Sequence, residues 1–402
     1  MKSVLKRSQV PRVALLIESS RSYGRDLLVG IAKHVRIYGP WSIEFQEGDA
    51  CETVPDWFGR WTGDGVIARI KTPAFAEAVA RKKVPTVDLY GGLANLKIPT
   101  IRSDELAVGR LAAEHLLERG FRQFAFCGYN GTDWSDRRQV GFEQCIAQAG
   151  YPCQTFHNPL NRFPKQAVEY EEHGVKYEEQ LTRWLQALPK PIGLMACNDS
   201  RARQILNCCR GIKVIVPDEV AVVGVDKDEV LCELSDIPIS SVILNTEQIG
   251  FQAAALLGRM MAGEQPPQTA IVIPPKGIAT RRSTDVLAIE DKHIATALGI
   301  IREHSCEGLN VPALLKLVPL SRSALERRFV SLVGRSPKAE ILRVRLERVK
   351  QLLLDSDLPL KLISEKTGFE NQEYLSRIFK KKVGMTPGRF RDRSSKDGAD
   401  GF

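Results

Sequence analysis

The chain has 402 residues, a formal net charge of +9 and 43% hydrophobic residues, so it is long enough for two or three separately cored domains and too apolar to be disordered. Nine cysteines occur without a CxxC pair, which argues against a disulfide framework and for buried reduced thiols in a cytoplasmic chain. No run approaches the roughly twenty apolar residues of a membrane helix, and the apolar stretch in "MKSVLKRSQVPRVALLIESS" is too short for a signal peptide, so no membrane partner is expected.

Residues 1–10 read as an N-terminal tail. Behind them, short aliphatic runs alternate with amphipathic helical stretches. Candidate strands are "RVALLIE" (12–18), "WSIEFQE" (41–47), "GVIARI" (65–70), "VPTVDLY" (84–90), "IPTIRSD" (98–104), "QFAFCGY" (123–129), "PIGLMACN" (191–198), "VAVVGVD" (220–226) and "SVILN" (241–245). Patterns such as "GRDLLVGIAKHVRIYG" and "LAVGRLAAEHLLERG" between them predict helices. Repeated strand–helix–strand order argues for parallel doubly wound sheets, and so many strands argue for two α/β lobes in series.

In open sheets of this type, ligands bind beyond the carboxyl ends of the strands. The residues there are polar: Ser19 and Ser20 after the first strand, then Asp104, Asn198, Asp199 and Asp226. Fixed carboxylates, amides and hydroxyls in a cleft suit a small polyol or sugar. For any one of them, a turn former or helix N-cap is the plainer explanation; four at successive strand ends are harder to dismiss. No GxGxxG follows the first strand, no GxxxxGK[ST] occurs, and the six histidines show no metal-binding spacing, so no cofactor and no enzymatic activity are expected.

"AAEHLLERGFRQFAFCG" (112–128), "RRQVGFEQCI" (137–146), "GLMACNDSRARQIL" (193–206) and "VAVVGVDKDE" (220–229), in this order, resemble the effector-binding domain of the LacI/GalR family, similar to periplasmic sugar-binding proteins, over residues 11–283. The resemblance implies that Asp104, Arg138, Asn198 and Asp226 hold ligand hydroxyls, Arg138 standing three residues before Gly141. Trp134, close to Arg138 in sequence, is a further candidate to stack on a sugar face, with a plain core or surface role as the alternative. The headpiece that precedes such a domain in that family is absent, so something else must reach DNA.

A linker is expected at 284–290. Residues 290 to 402 hold 22 Lys+Arg against 15 Asp+Glu, a net +7 that leaves +2 to the preceding part, which suggests a polyanionic partner for the rear region. A repeat lies there: "ALERRFVSLVGRSP" (324–337) matches "YLSRIFKKKVGMTP" (374–387), so that Leu325/Leu375, Phe329/Phe379, Val333/Val383, Gly334/Gly384 and Pro337/Pro387 coincide at an offset of fifty. Each copy reads as a helix-turn-helix. Ser321 and Asn371 are natural N-caps, and Leu325/Phe329 and Leu375/Phe379 give each second helix a buried face. The candidate DNA contacts are Ser321, Arg322, Ser323, Glu326 and Arg327 on the first, and Asn371, Gln372, Ser376, Arg377 and Lys381 on the second. Between them "SPKAEILRVRLERVKQLLLDS" (336–356) predicts a rod of roughly 27 Å with Ile341, Leu342, Leu346, Val349, Leu352 and Leu353 on one face. Such a rod can set two reading helices in consecutive major grooves, roughly 34 Å apart.

"ISEKTGFENQEYLSRIFKKKVGMTPGRFR" (363–391) resembles the signature of the AraC/XylS family of transcription regulators. That implies an all-α domain with two helix-turn-helix motifs over 291–392, followed by a tail at 393–402, and makes Arg327 and Arg377 the strongest readers. A LacI-type sensor ahead of an AraC-type domain, with "ACNDSRARQIL", "ISSVILNTEQIGFQAAALLGRMM" and "PPKGIATRRSTD", resembles the xylose-responsive activators of enteric bacteria. The implied partners are D-xylose as effector, double-stranded promoter DNA, RNA polymerase and a second copy in a homodimer. Two alternatives stay open: the same architecture serving another sugar or a non-sugar effector, or acting as a repressor, and an enzyme with a nucleic-acid-binding tail.

Overall fold

The computed structural model describes residues 10–48, 54–93, 96–156, 178–286, 289, 291–356 and 358–391. Of the expected tails only Val10 is described, and in the expected linker residues 287, 288 and 290 lie outside the description. The chain divides into two units, Met1–Val286 and Leu287–Phe402.

The first unit begins with β1 (Arg12–Leu16), α1 (Ser22–Tyr38), β2 (Ser42–Phe45), α2 (Asp56–Arg60), β3 (Gly65–Ala68), α3 (Pro73–Ala80), β4 (Thr86–Asp88) and β5 (Ile101–Ser103). It continues with α4 (Glu105–Leu117), β6 (Phe124–Cys127), α5 (Asp133–Gln148), β7 (Cys153–Phe156), α6 (Glu178–Ala187), β8 (Ile192–Ala196), α7 (Asp199–Gly211), β9 (Val220–Val225), α8 (Glu229–Leu234) and β10 (Ser240–Ile243). It closes with α9 (Thr246–Met261), β11 (Ile271–Ile273) and β12 (Gly277–Ala279).

These strands form two lobes with one plan. In the first lobe β2-β1-β3-β4 run parallel, a bridge from Asp88 to Thr100 leads to β5, and β5 pairs with β11. The second lobe orders its strands β7-β6-β8-β9-β10-β12, parallel except that β12 runs antiparallel to β10. Each lobe thus places its first strand between its second and third, and ligands are expected at the carboxyl ends beside that reversal of order. The central strands "IGLMA" of β8 and "VAVVGV" of β9 are wholly buried, the continuous apolar runs that a sheet covered on both faces requires.

The chain crosses between the lobes three times, after β5, after β10 and after β11. The crossing segments are hydrogen-bonded side by side: Asp104 N donates to Ile273 O at 2.9 Å and Lys276 N to Ile243 O at 2.8 Å. The unit ends on a 3-10 turn, Arg282–Thr284, pinned from below by a buried polar cluster. Ser283 Oγ donates to Val222 O at 2.6 Å, Arg119 Nε to Thr284 O at 2.7 Å, and His115 Nε2 lies 2.8 Å from Thr284 Oγ1. Burial, with Arg119 adding to it, holds the His115 pKa down to about 3, so this imidazole is neutral.

The second unit is helical: α10 (Lys292–His304), α11 (Val311–Leu317), α12 (Arg322–Val333), α13 (Pro337–Asp355), α14 (Leu360–Lys366) and α15 (Gln372–Val383). Asp291, Asn310, Ser321, Ser336 and Asn371 cap five of these helices through their side chains. Gly334 and Gly384, both left-handed, end α12 and α15. The apolar face expected along α13 is divided between two cores. Ile341 packs with Ile294, Ile301, Leu325 and Phe329, whereas Leu346, Val349 and Leu353 pack with Ile363, Leu375 and Phe379.

Candidate functional site

In the first lobe, Glu18 and Arg69 lie just beyond β1 and β3 and form an ion pair, with Glu18 6% exposed. The Arg69 guanidinium lies 4.7 Å above the Tyr23 ring and 5.9 Å from that of Tyr90. Tyr90 sits on a loop fastened by fully buried Asp88, whose carboxylate accepts from the backbone N–H groups of Ile70, Tyr90 and Gly91 at 3.0, 2.9 and 2.8 Å. Burial pushes the Asp88 pKa up, and the three N–H donors work against it.

The second lobe contributes Arg138, 3% exposed on α5. Its Nε donates to Glu105 Oε2 at 2.6 Å, its Nη1 to Cys197 O at 2.6 Å, and its Nη2 lies 3.6 Å from Asp226 Oδ1. The Trp134 ring stands 4.8 Å from the guanidinium and meets Tyr129 edge to face. Burial alone would lower the Arg138 pKa, but Glu105 and Asp226 outweigh it, so the residue is a permanent cation. Tyr23 joins the lobes electrically: its hydroxyl is pushed up by burial first and by Glu105 of the other lobe next.

Arg138 owes its position to a close helix crossing. Gly109 on α4 and Gly141 on α5 let the backbones meet: a Cβ on Gly109 would fall 2.1 Å from Arg138 O, and one on Gly141 would fall 2.1 Å from Leu106 O. Asp226 has a different origin. It directly follows β9 with φ +102 and is itself followed by Lys227 at φ +53, two non-glycine residues with the positive φ that side chains disfavour. Asp226 N donates to Val242 O at 3.1 Å and Lys227 N to Ser241 Oγ at 2.9 Å, so β10 holds the turn in place. Strain retained at a charged strand end is typical of ligand sites. A cavity of about 360 Å³ opens beside it, lined by Ser22 and Asp26 of α1, Asp226, Lys227, Thr246 and Lys276. That is within the usual range for small-molecule sites, roughly 300–1,000 Å³.

The other expected effector contacts are placed as follows. Half-buried Asp104 caps α4, accepting from Ala107 N at 2.9 Å, and Asn198, 5% exposed, caps α7, accepting from Arg201 N at 2.9 Å. Ser20 is exposed, and its carbonyl accepts from Arg25 Nη1 at 2.8 Å. Trp134 is half-buried against Arg138. Glu18, Tyr23, Arg69, Tyr90 and Glu105 were not among the candidates. Glu18 and Arg69 fall inside the expected strands 12–18 and 65–70, but the observed strands stop at Leu16 and Ala68.

On α12, Arg322 faces Glu326 at 3.3 Å and Arg328 is engaged by Asp291 at 2.8 Å, which leaves Arg327 as the exposed arginine without an ion pair among the described residues. Ser321 Oγ accepts from Ala324 N at 3.3 Å and lies 3.3 Å from Ser323 Oγ; both serines are exposed. On α15, Asn371 Oδ1 accepts from Tyr374 N at 2.8 Å, and Gln372 Nε2 donates to Glu373 Oε1 at 3.1 Å. Exposed Arg377 lies 5.4 Å from the Tyr374 ring, Ser376 is half-buried, and Lys380, Lys381 and Lys382 are exposed in the last turn. Both helices offer the guanidinium, amide and ammonium groups that reach base edges and phosphates.

Family models match the chain in three places: a XylR N-terminal domain over residues 12–101, a periplasmic binding protein-like domain over 113–284 and a helix-turn-helix domain over 314–393. The chain is similar to the xylose operon regulatory protein of Escherichia coli (strain K12), at 33% identity over 96% of this chain and 97% of that one. The protein of the same name from Haemophilus influenzae is 30% identical over 95% of this chain and 98% of its own length. A solved structure of the xylose-binding transcription activator xylR matches at TM-score 0.75 and 32% identity, covering 96% of this chain and 98% of that one.

Proposed function

Because this chain belongs to the family of xylose operon regulatory proteins, which are DNA-binding transcription regulators, we propose that it is a D-xylose-responsive activator. The sugar binds between the lobes of the first unit, and α12 and α15 read promoter DNA. The charge balance of the cleft carries the effector assignment. Arg69 is compensated by Glu18, and Arg138 by Glu105 and Asp226, so neither buried guanidinium keeps a surplus charge for an anionic sugar acid or phosphate. A neutral polyol suits such a site. Its hydroxyls can accept from the guanidinium edges and donate to Asp226, while Tyr23, Tyr90 and Trp134 supply apolar surface for its C–H faces.

A ligand bridging Asp226 and Arg138 to the groups of the other lobe stabilises the closed arrangement, with the hydrogen-bonded crossing segments as the hinge. The resulting shift in the DNA-binding units is proposed to act within a homodimer that contacts RNA polymerase in the cytoplasm.

Calorimetric titration of the purified chain with D-xylose, L-arabinose, D-glucose and D-xylonate tests the assignment. Heat is expected with D-xylose and none with xylonate. Arg138→Lys, which keeps a charge but loses the planar fork, is expected to weaken D-xylose binding at least about tenfold. A chain that releases heat with xylonate and with no neutral sugar would sink the proposal.

A further inference from the structure

Among the described residues, the two helix-turn-helix cores share only one element, α13, with Ile341 in the first core and Leu346, Val349 and Leu353 in the second. A single shared rod sets the distance between two reading helices but leaves the second core free to turn about the rod's axis. A second attachment, off that axis, is present. Arg345 projects from α13 and donates from Nε to Ser305 O and from Nη2 to Leu309 O, both at 2.8 Å. Those carbonyls lie just past the end of α10, where the helix dipole favours a cation. The same guanidinium stands 5.9 Å from the ring of Phe369, which belongs to the second core. Gly368, in the turn between α14 and α15, closes the contact. It has φ +70, and an added Cβ would fall 2.9 Å from the carbonyl oxygens of both Ser305 and Cys306. The turn of the second helix-turn-helix therefore rests directly on the backbone that follows α10 in the core of the first.

We infer that Arg345 and Gly368 are positioning residues that lock the rotation of the second reading helix relative to the first, and so set the one half-site spacing the protein accepts. The inference rests on the proposal that both α12 and α15 read DNA. Two heads fixed at the right separation act at a high effective concentration toward each other's half-site, and a loosened joint lowers it while tolerating more separations. Each inserted base pair turns the far half-site by roughly 35° and moves it by about 3.4 Å, so a rigid joint is sensitive to a single insertion.

The test uses the full chain. Sites are first selected by wild-type protein from a random duplex library, and the selected duplex is then made with one base pair removed and with one or two added between its half-sites. Wild type is expected to lose about a hundredfold on a one-base-pair insertion. Arg345→Ala and Arg345→Lys are expected to lose about tenfold on the original duplex but only a few-fold more on the insertion, because lysine lacks the planar fork whose Nε and Nη2 reach the two carbonyls separately. Gly368→Ala is expected to behave likewise. Gly334→Ala and Gly384→Ala, with φ of +75 and +86 but nothing within 4 Å of the added Cβ, bear similar backbone strain without the clash and should keep the wild-type spacing profile. Thermal unfolding of each variant separates a lost fold from a loosened joint. Folded Arg345 and Gly368 variants that retain the wild-type insertion penalty would overturn the inference while leaving two-headed reading intact. Selection of a single half-site by wild type would overturn both.

Discussion

At the level of single residues, burial decides what each polar group can do. Asp199, 1% exposed at the start of α7, accepts from Asp228 N at 2.8 Å, yet its pKa is pushed up to about 8, by burial first and by Asp226 next. A carboxyl whose folded pKa exceeds its ordinary 3.8 takes up a proton on folding between those two values. Its contribution to stability is therefore full below about pH 4 and lost as pH rises through 8. Asp199→Asn, which keeps the shape without the charge, is expected to be more stable than wild type by about 1–3 kcal/mol at pH 8.5, and the gap should shrink toward pH 5. Urea unfolding at the two pH values measures this, and a gap that does not change with pH would contradict the assignment. Residue types at strand ends were legible in the sequence, and Arg138 and Asp226 do meet. Which neighbour completes a site was less so. Glu105 was masked by Asp104 beside it, because one residue of helix phase separates a capping side chain from a buried partner of Arg138.

Helices and strands follow their local patterns where burial is uniform and depart from them at sheet edges. The nine expected strands all form, whereas β7, β11 and β12 were not foreseen. "CQTF" of β7 lies at an edge with only Phe156 buried, and the other two strands have three residues each. Runs this short carry no period. The glycines at the α4–α5 crossing also lack a sequence signature, since a helical glycine needed for close approach looks like any other. They have a measurable consequence. Gly109→Ala is expected to cost about 1–3 kcal/mol by forcing α4 from α5, and to weaken sugar binding by displacing Arg138 from Glu105. Gly211→Ala, at the end of α7 with nothing within 4 Å, is the matched control and should be neutral or slightly stabilising. Equal effects of the two substitutions in denaturant unfolding would contradict the close-packing account.

For the whole molecule, the order of the two units was legible because each carries several motifs in sequence, while the division of α13 between two cores was not, since one apolar stripe can serve one neighbour or two. The repeat at an offset of fifty residues conceals a difference that matters more than the likeness. Equivalent faces present Arg322, Ser323, Glu326 and Arg327 on α12 but Gln372, Glu373, Ser376 and Arg377 on α15. Arg327→Ala is therefore expected to relax base preference at one end of the selected site and Arg377→Ala at the other, each at a loss of about 1–3 kcal/mol. Loss at the same end for both would contradict the assignment of one half-site to each helix. Because the two heads of one chain are unlike, a site read by both as proposed would have a direction, as a sentence does and a palindrome does not. A promoter can then point the bound protein toward or away from the transcription start merely by reversing its site.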